Sequence, residues 1–188
     1  MQYFKKHHFT KEELLQAPLI LGEYEECTFE GGDWMNGSLA GFQFVKCTFR
    51  LCNLSMANLS DTTLSHVVFE QCKLAGFRFD LCRDFGLSIR FINSSLNYAS
   101  FYRKSMAKTQ FTGCSLHGVD FTEADFYSAV FEECDLSGAQ FERTNLEKAD
   151  FSTSRNIVLS PEINRIKGAK FSRHNLEGLL AQYNLDIV

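Results

Sequence analysis

From Phe111 to Phe151 a large apolar residue returns at every fifth position: Phe111, Leu116, Phe121, Phe126, Phe131, Leu136, Phe141, Leu146 and Phe151. An α-helix repeats near 3.6 residues and a strand near 2, so neither produces this spacing. Two positions before each large residue stands a small one, in order Thr109, Cys114, Val119, Ala124, Ala129, Cys134, Ala139, Thr144 and Ala149. The other positions of each pentad are mostly polar. The pattern predicts a five-residue unit that turns one large and one small side chain inward.

A longer period lies over the first. Reading every twentieth residue gives Phe91, Phe111, Phe131 and Phe151; Leu96, Leu116 and Leu136; Phe101, Phe121 and Phe141; and Met106, Phe126 and Leu146. Like falls on like after four pentads. That predicts an all-β solenoid with four sides per coil and one pentad per side, its coils joined by parallel ladders about 4.8 Å apart. The same ladder runs through the earlier half, from Tyr24 through Phe29, Trp34, Leu39, Phe44, Phe49, Leu54, Leu59, Leu64, Phe69 and Leu74 to Phe79. Between Phe79 and Phe91 there are twelve residues where two pentads need ten. With Phe85 midway, the expectation is one extra residue at each corner as a bulge, and a fourth column of Phe44, Leu64, Phe85 and Met106. On these residues the chain resembles the pentapeptide-repeat family. The resemblance implies a right-handed quadrilateral parallel β-helix.

The ends break the pattern. Thr10-Lys11-Glu12-Glu13 reads as a capping box, with Phe9 placed to meet Leu14 as a hydrophobic staple, and predicts a short helix from about Lys11 to Gln16 ahead of Pro18. Residues 1–23 are expected to cap the coil, 24–155 to form the β-helix, and 156–188 to form a C-terminal capping or dimerisation segment. In the last of these, Ser160-Pro161 starts a helical turn. Ile166 to Phe171 is extended, and Ser172 caps a helix with Leu176, Leu179, Leu180 and Tyr183 on one face, before Leu185, Ile187 and Val188. In order of elements this tail resembles that of the Qnr-like branch of pentapeptide-repeat proteins, and the run from Pro161 to Ile166 resembles the microcin-immunity member. That resemblance implies a homodimer joined through the C-terminus at Leu176, Leu179, Leu180 and Tyr183.

Composition narrows the class. With 188 residues, 45% hydrophobic, 19 Phe and only 2 Pro, the chain reads as one continuous domain with a heavily filled core. It opens without an apolar leader and holds no stretch long enough for a membrane span, so a cytoplasmic protein is expected. The Asn-x-Ser sequons at Asn36, Asn53, Asn58 and Asn93 are then by-products of the repeat. Cys27, Cys47, Cys52, Cys72, Cys82, Cys114 and Cys134 all fall on the small inward slot, where a thiol packs as a small hydrophobe. No nucleophile and base at useful spacing, phosphate loop, zinc motif or dinucleotide fingerprint occurs, and Asp84-Phe85-Gly86 lacks the companion kinase motifs. The expectation is a protein without enzymatic activity, cofactor or metal, with His66, His117 and His174 at the surface.

Net charge is −4, but it is unevenly spread. From Asp120 to Asp150 nine acids face only Arg143 and Lys148, a local −7, whereas Arg78 to Lys108 sums to +4. Asp120, Asp125, Asp135 and Asp150 directly precede a large residue, where a short carboxylate can bond the turn backbone. Glu123, Glu132, Glu133, Glu142 and Glu147 have no such role and are the candidate acidic partner-binding face. Resemblance to the Qnr-like branch implies a DNA mimic that binds a type II topoisomerase, DNA gyrase or topoisomerase IV, and modulates its sensitivity to quinolones or toxins. It implies antibiotic resistance as a phenotype and no direct binding of nucleic acid. The alternative reading is a scaffold or regulator for an unrelated protein. The chain departs from the quinolone-protecting members in having no long loops.

Overall fold

Each pentad forms one side of a coil, and about eight coils stack as a right-handed parallel β-solenoid with a short C-terminal helix. The computed structural model describes residues 2–186; Ile187 and Val188, counted above with the C-terminal apolar set, lie outside them. The first side is a nine-stranded parallel sheet that runs from His8–Phe9 to Lys170–Phe171. Its register places Phe9, Phe29, Phe49, Phe69, Phe91, Phe111 and Phe131 one above another, with Phe151 beneath Phe171. On the fourth side Gln2–Lys5, Gly22–Glu25, Gln43–Val45 and Thr63–Ser65 form a four-stranded sheet. Single parallel bridges join the second and third sides, for example Ser95 with Ser115 and Ser100 with Asp120. The ladder therefore reaches past residues 24–155 at both ends, because the terminal segments supply strands as well as caps.

Every large residue of the repeat between Phe111 and Phe151 is buried, and so is every small one. Stacked rings fill the interior. Phe111 lies 4.9 Å from Phe131 at 6°, and Phe121 lies 4.9 Å from Phe141 at 6°. The two columns meet edge to face, as at Phe121 and Phe131, 5.9 Å apart at 89°, the offset geometry that aromatic quadrupoles favour.

Where the small slot holds threonine or cysteine, the side chain can also donate a hydrogen bond. Thr144 Oγ1 donates to the carbonyl of Phe121 at 2.9 Å, Thr62 Oγ1 to Leu39 at 2.7 Å, and Cys47 Sγ to Tyr24 at 3.1 Å. Each acceptor lies 23 residues earlier, in the neighbouring coil. All seven cysteines are buried and free; burial pushes the Cys47 thiol up to about 12 and Cys82 to about 11, which keeps the reactive thiolate scarce.

At the N-terminus, α1 (Lys11–Gln16) forms where the capping box predicts it: Thr10 Oγ1 accepts from Glu13 N and the Glu13 carboxylate from Thr10 N. Phe9 and Leu14 both pack on the core. Beside them Gly32 makes room for an aromatic ring, since a Cβ there would run into the Trp34 side chain.

The insertion differs from the expectation. Arg83 still donates to Thr62 one coil before it, while Ile89 is already paired with Val67 at a shift of two further residues. Both extra residues therefore lie in one loop, from Asp84 to Leu87, on the fourth side, not one at each corner. Phe85 is 92% exposed and does not continue the column of Phe44, Leu64 and Met106; Leu87 packs on the core instead. The reason lies one coil on. Lys104 occupies the small inward slot before Met106, is buried, and donates to the Cys82 carbonyl at 2.7 Å and to Asp84 Oδ1 at 2.6 Å. It takes over the donor role of threonine or cysteine and ties the loop outward by Asp84.

The C-terminal tail closes the last coil through two buried asparagines. Asn164 Nδ2 donates to Phe141 and Ser160 carbonyls, each at 2.9 Å, and Asn175 Nδ2 to Ser154 at 2.9 Å, so backbone groups left without a further coil are satisfied. The expected helix is short: α2 spans Leu176–Leu180 between 3₁₀ turns at Arg173–Asn175 and Ala181–Tyr183. Gly178 lets it lie directly on the coil, because a Cβ there would collide with the Ile157 carbonyl oxygen.

Candidate partner-binding surfaces

The four-sided geometry separates residues that are close in sequence, because a step of five moves to the next side and only a step near twenty returns to the same one. Glu132 and Glu133 lie on the first side, following Phe131. Glu123 and Glu142 lie on the third, following Phe121 and Phe141. Glu147 lies on the fourth, beyond Asn145, which bridges Asp125 and Arg165. The five carboxylates predicted as one acidic face therefore occupy three sides, because a charge count along the chain sums around the coil.

The fold also brings cations to them. Glu123 accepts from Arg103 at 2.6 Å and Arg143 at 2.8 Å, one on each adjacent coil. Those two guanidinium bonds hold its carboxyl below the usual range. Glu147 accepts from Arg165 at 3.0 Å. Asp135 meets Arg155 at 3.2 Å and Asp150 meets Lys170 at 2.9 Å. Four bases from outside the 120–150 segment thus fold against its acids. Glu142 keeps only a loose contact with Arg143 at 4.0 Å, Glu132 accepts from the Thr112 hydroxyl at 3.2 Å, and among the described residues no ion pair reaches Glu132 or Glu133. Charges twenty residues apart, such as Arg103, Glu123 and Arg143, carry this ladder in the sequence itself. Such exposed pairs add little to stability; their larger effect is on the surface potential.

The four aspartates act on the turn backbone as their position predicts. Asp120, Asp125, Asp135 and Asp150 accept from the amides of Thr122, Tyr127, Ser137 and Ser152 at 2.9, 3.0, 3.1 and 3.0 Å. Bonds from Ser152 and Lys170 lower Asp150 to about 2.

On the C-terminal face, Leu179 packs against the chain's own core. Leu176, Leu180 and Tyr183 are exposed, as is Leu185, and the Tyr183 hydroxyl donates to Glu162 at 2.6 Å. The structure thus splits the predicted dimer set into one residue that covers the last coil and three that face outward. His66 and His174 are exposed, and the His117 ring stands edge-on to Tyr98 at 5.2 Å. Among the described residues no three His, Cys, Asp or Glu side chains gather as metal ligands would, and no helix is long and apolar enough to cross a membrane.

Residues 104–180 match the family described as pentapeptide repeat region. The fold is similar to that of QnrB1, described as a plasmid-mediated fluoroquinolone resistance protein: a trypsin-treated, singly substituted form superposes with a TM-score of 0.58 at 16% identity, covering 99% of this chain and 97% of that one. The full-length form superposes with a TM-score of 0.56 at 15% identity, covering 98% of this chain and 100% of that chain. HetL of the cyanobacterium Nostoc sp., described as involved in heterocyst differentiation regulation, reaches a TM-score of only 0.35 at 17% identity, over 90% of this chain and 84% of that chain. No curated protein matches the chain by sequence. Period, fold and the match over residues 104–180 agree in making the chain similar to the pentapeptide-repeat proteins. In architecture it is similar to QnrB1.

Proposed function

We propose that this chain is a non-enzymatic, cytoplasmic DNA mimic that binds a type II topoisomerase, DNA gyrase or topoisomerase IV, and alters its response to quinolones or toxins. The observation that carries the reading is the end-to-end likeness to a fluoroquinolone resistance protein, cap and tail included. The shape agrees. Eight intervals between the nine strands of the first side, at about 4.8 Å each, make a rod roughly 40 Å long. Glu132 and Glu133, which no ion pair reaches among the described residues, on one side and the loosely paired Glu142 on the opposite side place carboxylates on two flanks, as a duplex carries phosphates on two flanks. The test is competition. The protein should displace linear duplex DNA from the topoisomerase, with affinity falling as salt rises; failure to bind either enzyme contradicts the proposal.

The proposal includes a homodimer through the C-terminus, which would double the rod. Its supporting feature is the outward apolar set of Leu176, Leu180, Tyr183 and Leu185. Sedimentation should give twice the chain mass for the wild type and the chain mass for Leu176→Glu with Leu180→Glu; a monomeric wild type rejects it. A second reading, a scaffold for an unrelated protein, is favoured by one observation: Arg103, Arg143 and Arg165 neutralise Glu123 and Glu147, so the surface is less acidic than the linear charge suggests.

A further inference from the structure

The corner between the fourth and first sides, beside the insertion, carries cations that the ion-pair ladder does not reach. His66, Arg90 and Lys108 line one cleft of about 260 Å³ with Val67, Val68, Ser88, Ile89 and Gln110. All three side chains are exposed. Elsewhere in the same columns bases meet acids one coil away: Lys46 meets Glu26 at 3.8 Å and Lys170 meets Asp150 at 2.9 Å. Arg90 instead has Val68 and Gln110 as its neighbours in the sheet. The His66 ring bonds the Ser65 hydroxyl at 3.1 Å, and among the described residues no acid pairs with His66, Arg90 or Lys108. Beside the cleft, the Asp84 loop takes the place of the fourth side's next strand, and Asp84 is bonded to Lys104.

An arginine that makes no ion pair among the described residues, lining the same cleft as a lysine and with a floor of valine and isoleucine below, suits a carboxylate on an aliphatic stem: the guanidinium binds the carboxylate through two parallel bonds while the stem covers apolar surface. We propose that this cleft is a docking site for an acidic peptide segment of a protein partner. A nucleic-acid strand fits poorly. Followed along the first side it would meet Glu70 two positions beyond Val68, and Glu132 and Asp150 beyond Gln110, whereas a short peptide ends within the cleft. This inference stands apart from the topoisomerase reading, which rests on other residues.

Fluorescence anisotropy with a short fluorescein-labelled peptide of repeating Glu-Leu-Glu-Ser tests it on the full chain. The probe should bind, and its counterpart with glutamine for glutamate should not. Arg90→Glu with Lys108→Glu should weaken binding at least about tenfold, the effect of a charge pair turned repulsive. Lys11→Glu with Lys167→Glu makes the same change in net charge away from the cleft and should leave binding within about twofold of wild type. Equal binding of both peptides, or undiminished binding by the Arg90 and Lys108 variant, overturns the proposal. So does tighter binding of a single-stranded oligonucleotide that the same variant abolishes, which would make nucleic acid the ligand.

Discussion

The coils from Phe111 to Phe151 and the loop from Asp84 to Leu87 obey different rules in one solenoid. In the coils each inward residue stands on another inward residue twenty positions away, so an inward phenylalanine can be held by rings above and below it, as Phe121 is by Phe101 and Phe141. In the loop the register is lost by two residues and no such neighbour exists. There the large apolar Phe85 is exposed while a lysine is buried. Apolarity decides the inside of a solenoid only where stacking offers the ring a place; where it does not, the carbonyl of Cys82 and the carboxylate of Asp84 decide.

The contrast can be broken at three residues. Phe121→Ala removes a ring from the stacked column, and chemical denaturation should record a loss of about 3 to 5 kcal/mol; a loss under about 1 kcal/mol would contradict the stacking account. Lys104→Ala should cost about 1 to 3 kcal/mol, because the buried Cys82 carbonyl loses its donor, and proteolysis should then cut first between Asp84 and Leu87. Phe85→Ala should change stability by no more than about 0.5 kcal/mol, as exposed substitutions do. A Phe85 loss as large as that of Phe121 would put its ring back in the core.

Period five and period twenty are legible in the sequence because backbone geometry imposes them on every coil alike, and they suffice for the columns, the buried cysteines and the turn aspartates. Thr10 and Glu13 likewise announce α1. What the pattern does not carry is choice among equivalents. Two extra residues between Phe79 and Phe91 can be placed at two corners or in one loop, and the buried donor that settles it, Lys104, looks like any surface lysine. The acidic surface is half legible. Local counting finds Glu123 and Glu147 but misses Arg103 and Arg165, which are local only along the coil axis. Asn164 continues the small slot, bonding the Phe141 carbonyl 23 residues earlier, whereas Asn175, bonded to Phe151 and Ser154, falls outside the period.

The proposal that this rod acts on a topoisomerase is tested most directly by gyrase supercoiling of relaxed plasmid, with and without a quinolone, against rising concentrations of the purified protein. The account predicts that the wild type changes supercoiling or its drug sensitivity in proportion to its concentration, and that Glu132→Lys, Glu133→Lys and Glu142→Lys together abolish the effect with the fold intact. Supercoiling unchanged at every concentration, with and without drug, or a triple variant as active as the wild type, would contradict it.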